Sequence, residues 1–508
     1  MSFKALYRIV SVSLVLVFTL GSPHRIVAQD SEDYPTGRPM DVIVLDLYQA
    51  VRYALDQSWR IERGRMGLSR AEFNLAATRA ALKSNASMSF TVPDFDQSLT
   101  DWTDSSGITH IIKKRSAKYS SRISIQQPLG TDGVVSLNGV MNRSQVDLFS
   151  YSPTNKYYGS VFLKFDQPIL QPNGIKNDIR RAELSLEEAR LGFQDEEIRI
   201  ETEVSRSFFE LLELTYKDKL AAEEVERIEQ AYSIGQPLFE SGSLSEVNLL
   251  QLEVELASRR DRASAAAGRL DREKDDFKQE IGLPLEDEIR LEPVLEYISV
   301  EIDEAALLEK AMQQRSDIRR TIIRRENHEM DIRERRSQGR LTGNVSITLG
   351  LDAQGKEIPN LADSWMDPDQ ARGAAITFSL PLWDWGRNDA RVASKQVDLD
   401  QNYLQEEENI KTITREVSSA TARVREAESR LNLLKPSVEA ADRSYQLSLQ
   451  QFESGELNVL DILLTQNRLV DSHNSYLEAY LDYRRAIIDM RAVATGAGYG
   501  RGRSFFRD

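Results

Sequence analysis

Eighty acidic residues and four histidines are the groups of this 508-residue chain that could do acid–base or metal chemistry. His24, His110, His328 and His473 are scattered, and none has the spacing that puts two imidazoles on one helix face around a zinc ion. Paired carboxylates are abundant at this acid content, so any chosen pair reads as a solvated helix face before it reads as a general acid and base. Gly496, Gly498, Gly500 and Gly502 form a glycine-rich run, but it follows a helical stretch and lacks the strand before and helix after that a phosphate cradle requires. It reads as a flexible tail, residues 496–508. The expectation is a protein that is not an enzyme, with no catalytic residues, no cofactor and no metal. A formal charge of −15 without a clustered basic surface argues against nucleic acid.

Near the N-terminus, Lys4 and Arg8 precede an apolar run from Ile9 to Leu20, followed by a polar stretch reaching Ala28. That is the pattern of a secretory signal peptide over residues 1–28. The run is twelve residues long, short of the roughly 20 that span a bilayer as a helix. No other stretch approaches that length, so membrane residence would have to rest on strands. With no cysteine there is no disulfide, and stability must come from packing and assembly.

The chain contains a repeat with two offsets. Phe239, Glu240, Ser241 and Gly242 recur as Phe452, Glu453, Ser454 and Gly455, and Tyr232, Leu244 and Leu256 meet Tyr445, Leu457 and Leu469 at the same offset of 213. Nearer the N-terminus the offset is 257: Ala54 meets Ala311, Ile61 meets Ile318, and Met88 to Thr91 meet Val345 to Thr348. The difference places 44 extra residues between Thr91 and Leu163 of the first copy. The expected organisation is an N-terminal segment 29–40, a first repeat 41–283, a linker 284–302 and a second repeat 303–495.

Each copy reads as helix, strand, loop, strand, long helix, turn, long helix, with tip turns near 235–245 and 452–458. Ile175, Ile179, Ala182, Leu186, Ala189 and Phe193 alternate steps of four and three, a heptad seam. Leu184, Leu191, Ile198 and Leu212 form a second row about 200° away. Two opposed seams suit a helix held between two neighbours in a closed ring of helices. Asn344 to Asp352 alternates polar and apolar residues, close to the roughly 9 to 11 residues of a tilted membrane strand. With Ile376 to Leu382, Met88 to Val92 and Val161 to Phe165, it gives four strands in two hairpins. Four strands cannot close a barrel, so several chains must contribute. The inserted residues read as an extended extracellular hairpin around the turn Gly130 to Gly133.

The paired tip motifs, Phe239 to Leu250 and Phe452 to Leu463, together with Pro168 to Gly174, Pro381 to Gly386 and the duplicated element order, resemble the TolC-type outer-membrane efflux protein family. The resemblance implies a mainly α fold with β: long antiparallel helices forming a periplasmic α-barrel, and four strands per chain contributing to a twelve-stranded transmembrane β-barrel in a homotrimer. It implies the outer membrane of a Gram-negative bacterium, lipid contact, and a passive exit duct for solutes or secreted proteins. It also implies a periplasmic adaptor protein and an inner-membrane pump of the RND, ABC or MFS type. The alternative is a periplasmic coiled-coil stalk or adhesin without channel activity, which would have no need of the strand hairpins.

By the same resemblance, the tip turns at Gly242, Ser243, Leu244 and at Gly455, Glu456, Leu457 meet the adaptor. The pore constriction falls on Asp461, with Leu464 where a second acid is usual, and on Asn248 and Gln251 in the first copy. Asp461 has a local role open to it as well: with Asn458 as N-cap it occupies the third helical position, where an acid suits the helix dipole. Ser243 and Glu246 have capping-box spacing, and Ser245 is the other cap available. Trp383 and Trp385 either belong to an interfacial aromatic girdle or pack at a strand-to-helix junction.

Overall fold

The computed structural model describes residues 42–103, 106–148, 154–291, 297 and 299–495. The expected signal peptide 1–28, the segment 29–40 and the glycine-rich run 496–508 lie outside the described residues.

In chain order the elements are β1 (Ile43–Leu45), α1 (Leu47–Gln57), α2 (Trp59–Ala80), β2 (Asn85–Thr103), β3 (Thr109–Pro128), β4 (Val134–Leu148), β5 (Thr154–Ile169), α3 (Gly174–Glu240) and α4 (Glu246–Ile281). There follow β6 (Ile289–Leu291), α5 (Glu304–Gln314), α6 (Ser316–Gln338), β7 (Thr342–Gly355), α7 (Ile358–Ser364), β8 (Asp369–Ser379), α8 (Arg387–Glu453) and α9 (Val459–Thr495). Helices α5 and α6 start 257 residues after α1 and α2, while α8 and α9 start 213 after α3 and α4. Both α3 and α8 have 67 residues, about 100 Å of helix at 1.5 Å per residue. Pro237 and Pro436 lie inside these helices rather than ending them. No described helix is long and apolar enough to cross a membrane.

The two seams of α3 have separate partners. Phe193 of the first seam lies so close to α2 that a Cβ at Gly64 would fall 2.9 Å from its ring. Leu184 and Leu191 of the second seam pack with Ile323 and Met330 of α6. Ion pairs flank both contacts. Arg79 meets Glu183 at 2.9 Å and Arg60 meets Glu196 at 3.0 Å on the α2 side. Arg320 meets Asp195 at 2.6 Å and Arg181 meets Asp331 at 2.9 Å on the α6 side. Helix α6 in turn contacts α8, so the layer runs α2, α3, α6, α8.

The main core gathers where these helices meet α1, α4, α9 and the small parallel pair β1–β6, around Leu45, Phe208, Phe277, Tyr480 and Tyr483. Full burial of each large apolar side chain contributes about 1.5–3 kcal/mol. A second core at the tip holds Leu244, Leu252, Phe452, Val459 and Ile462.

The sheet corrects the expected strand count. It has six strands in the order β2-β3-β4-β5-β7-β8, all antiparallel neighbours, where four in two hairpins are the sequence expectation. The inserted residues supply most of β3 and all of β4, because their period-2 alternation continues the two-faced pattern of the neighbouring strands. Their turn lies beside the long helices and not at the far end of the sheet. Residues 129–133 sit at the helix end of the sheet, where Asp132 accepts hydrogen bonds from the backbone N–H of Gly174 (3.2 Å) and of Ile175 (3.4 Å) at the start of α3. Asn173 donates from its side chain to the Gly130 carbonyl at 2.8 Å.

Candidate functional site

The sheet has two chemically different faces. Ile125, Leu137, Leu163 and Leu349 stand directly opposite one another on four adjacent strands, and each is exposed. One pleat further along, Met88, Ile123, Gly139, Val161 and Leu351 form the next row. Arg372, opposite Leu349, is the charge that interrupts this apolar patch, and it donates to Gln370.

The other face is polar. Ser124 donates to Asn138 at 2.8 Å, Asn138 to Ser136 at 3.0 Å, Tyr158 to Asp352 at 2.8 Å, and Lys164 pairs with Asp166 at 2.8 Å. Helix α7 covers the end of the apolar face farthest from the long helices, where Ala353 is buried and a Cβ at Gly159 would fall 2.9 Å from Trp365. The rows described above are open, and an open apolar face backed by a hydrogen-bonded polar one is the arrangement of a wall between lipid and water.

At the end of β8, Trp383 and Trp385 are 74% and 86% exposed, with ring centroids 4.6 Å apart. They touch each other rather than the core. The junction is held by Asp384 instead, which accepts from the backbone N–H of Gly386 (3.0 Å) and Asn388 (2.9 Å).

The two tips share one geometry. Gly242 has φ +80° and Gly455 φ +75°, the left-handed conformation that glycine adopts without a Cβ penalty. Around Gly242, the N–H of Gly242 reaches Phe239 O (2.9 Å) and that of Ser243 reaches Leu238 O (2.8 Å). Around Gly455, the corresponding bonds run from Gly455 to Phe452 O (3.1 Å) and from Glu456 to Gln451 O (2.9 Å). This 6→1 and 5→2 pairing is the Schellman way of closing a helix end. Leu244 is buried under its turn, whereas Leu457 is half-buried under the other.

Beyond each turn a side chain caps the next helix. Asn458 accepts from the backbone N–H of Asp461 at 3.0 Å, and Ser245 accepts from that of Asn248 at 3.3 Å. Ser245, not Ser243, is therefore the cap. Asp461 and Asn248 occupy matching, half-buried positions, and the Asp461 carboxylate has no bonded partner among the described residues. Leu464 is 47% exposed and Gln251 is exposed. Val247, Leu250, Leu460 and Leu464 add uncovered apolar surface near the tips.

Above the tip lies a charged cluster that the spacing of residues does not announce. Arg259 of α4 donates to Glu224 of α3 (2.7 Å), to Glu255 of its own helix (2.6 Å) and to Asn467 of α9 (2.6 Å). Gln466 donates to the Glu224 carbonyl at 3.3 Å. At the 213 offset, Glu224 and Arg259 correspond to Ser437 and Ser472, whose hydroxyls are 3.4 Å apart. Comparing the repeats position by position would have flagged this charge asymmetry. Close by, burial holds the His473 imidazole below its usual range, and Arg227 lowers it further against Asp442 and Glu223. Burial also raises the Tyr445 phenol, whose buried hydroxyl has no hydrogen-bond partner among the described residues.

Comparison with known proteins agrees with this architecture. A family profile described as outer membrane efflux protein matches residues 134–282 and 307–496. No curated protein sequence matches the chain. Among solved structures, the CmeC outer membrane channel of Campylobacter jejuni is 13% identical with a TM-score of 0.66, the match covering 92% of each chain. The outer membrane protein VceC of Vibrio cholerae is 14% identical with a TM-score of 0.64, over 89% of this chain and 96% of that one. The open state of the MtrE outer membrane channel of Neisseria gonorrhoeae is 13% identical with a TM-score of 0.64, over 89% of each chain. At these identities the likeness concerns the fold.

Proposed function

Because the chain belongs to the outer membrane efflux protein family, we propose that three copies assemble into a passive exit duct that an inner-membrane pump and a periplasmic adaptor connect to the cell interior. The family is one of channels and not of enzymes, and the chain is an outer-membrane exit duct. The observation that carries the assembly is a pair of uncovered edges. Helix α2 presents Trp59, Met66 and Phe73, seven residues apart and exposed, at one end of the helical layer. Helix α8 presents Val397 and Leu404, also seven apart and exposed, at the other. Heptad rows bury themselves against a second helix, and the α8 row of one copy suits the α2 row of the next. A head-to-tail contact of this kind closes into a ring when the rotation between copies divides the full circle, as a third of a turn does for three.

In that ring the repeats 41–283 and 303–495, joined by 284–302, each contribute one long hairpin. The tip turns at Gly242 to Leu244 and Gly455 to Leu457 meet the adaptor, with Val247, Leu250 and Leu460 as the apolar surface beside them. Asp461 from each copy places three carboxylates about one axis and favours cations locally. Trp383 and Trp385, exposed at the helix end of the sheet, suit an interfacial girdle. A coiled-coil stalk would have no use for an uncovered apolar sheet.

Single-channel conductance of the detergent-extracted protein in a planar bilayer tests the reading, with wild type compared to Asp461→Asn under cation and anion gradients. Stable steps with a cation preference that falls in the variant are expected. Steps unchanged by the variant would return Asp461 to a local role, and a protein that never inserts would overturn the duct.

A further inference from the structure

We infer that all six strands of each chain line the membrane, and that strand β8 of one copy pairs with β2 of the next to close an eighteen-stranded barrel. This rests on the trimer proposed above, but its structural grounds are separate. The first is pairing. Strand β2 is bonded to β3 from Asn85 to Thr103 and β4 to β5 from Val134 to Val146, so the added hairpin is a continuous part of the sheet. Removing it would leave two lengths of backbone without partners in a medium where each unsatisfied group costs several kcal/mol.

The second ground is chemistry. Ile125 on β3 and Leu137 on β4 stand in the same exposed apolar row as Leu163 and Leu349, while Ser124, Ser136 and Asn138 continue the polar face. The added strands thus have the same inside and outside as the rest.

The third ground is the pair of edges. Strand β8 is exposed on nearly every residue, and β2 on both faces. An even number of antiparallel strands makes β2 run away from the helices and β8 toward them, so the edges of successive copies meet antiparallel. The occupant of each edge is a second copy of this chain, because the helical layer ends on the same two sides, α2 beside β2 and α8 beside β8. With strands about 4.8 Å apart and tilted about 40°, eighteen enclose a cylinder about 36 Å across, against about 24 Å for twelve.

The chain has no cysteine, so introduced thiols are unique. Ile125→Cys, Leu137→Cys, Leu163→Cys, Leu349→Cys and Ser124→Cys, each carrying a fluorophore, are reconstituted with brominated phospholipid. The first four are expected to be quenched to a similar extent and Ser124→Cys to be spared. Quenching at Leu163→Cys and Leu349→Cys without quenching at Ile125→Cys and Leu137→Cys would overturn the six-strand wall in a protein shown by the same data to be inserted. Met88→Cys is then combined with Ala374→Cys, Ile376→Cys or Phe378→Cys. Oxidation is expected to give inter-chain products for at least one pair, and none across the panel in inserted protein would overturn the β8–β2 seam. Native mass spectrometry counts the copies: a number other than three overturns eighteen through the trimer alone, whereas unquenched added strands overturn it through the wall alone.

Discussion

Arg259 donates to Glu224 at 2.7 Å in the first long hairpin, and the equivalent pair in the second hairpin is two serines, Ser472 and Ser437, 3.4 Å apart. The first helices of the two hairpins have the same length and their tips close in the same way, yet among the described residues only the first hairpin is fastened by a buried charge pair. The side chains of Arg259 and Glu224 are 5% and 11% exposed. Desolvation therefore weighs heavily on both, and the hydrogen bonds from Arg259 to Glu255 and Asn467 help to offset it.

Removing one partner strands the other. Arg259→Ser should cost about 3–5 kcal/mol, as breaking a buried ion pair does, and should lower the unfolding temperature of the assembled protein markedly. The double variant Arg259→Ser with Glu224→Ser copies the second hairpin and should be less destabilised than the sum of the single changes. Thermal unfolding of all four forms gives the coupling, and simple additivity would show that the pair does not act as a unit.

Asp132 caps a helix from 42 residues away in the sequence while holding φ +72°. Asp132→Gly keeps the turn and loses the cap, so it isolates the capping contribution of about 1 kcal/mol. Asp132→Asn, which retains both the left-handed tolerance and an acceptor, should stay close to wild type. Hydrogen exchange at residues 174–178 reads the difference, and equal protection in both variants would refute the role.

His473 links stability to mild acid. Its folded value lies below the ordinary 6.5, so between the two the unfolded chain binds a proton that the folded chain does not. Stability must then rise with pH across that window and fall as pH drops below about 6.5. His473→Gln should flatten this part of the profile, measured as unfolding temperature from pH 7.5 to pH 5.5.

At the tips, Gly242→Ala and Gly455→Ala meet no atom within 4 Å, so their cost is that of a left-handed residue alone, about 1–2 kcal/mol. Gly235→Ala is different in kind, since its Cβ would lie 2.9 Å from Leu252. Local hydrogen exchange should loosen at 449–462 in Gly455→Ala and leave the opposite tip unchanged.

Features governed by short-range rules were legible in the sequence. The repeat offsets locate the long helices, the heptad steps of Ile175 to Phe193 and of Leu184 to Leu191 identify two neighbours for α3, and Gly242 and Gly455 have the positive φ their motifs require. Pairing was not legible. Alternation marks Ile123, Ile125, Val135 and Leu137 as strand residues but does not say which edge they join, and so four strands were expected where six occur. The end at which residues 129–133 lie follows from that pairing, because β2 leads away from the helices and β3 returns to them, which brings Asp132 to Gly174. Glu224 and Arg259, taken separately, look like solvated charges on polar helices. Pro237 and Pro436 run against a local rule: a proline usually ends or kinks a helix, yet each lies within a 67-residue one.

The equal length of α3 and α8 makes the molecule a ruler read twice. Each inserted residue would shift one tip by about 1.5 Å relative to the other, and the two segments share no single stretch of gene that could be edited once. A heptad gained in α3 alone would put its turn about 10 Å out of plane with that of α8. Changes in how far such a molecule reaches are therefore expected to come as matched pairs in separate places, and an unmatched one to be found only where the tips have lost their common plane.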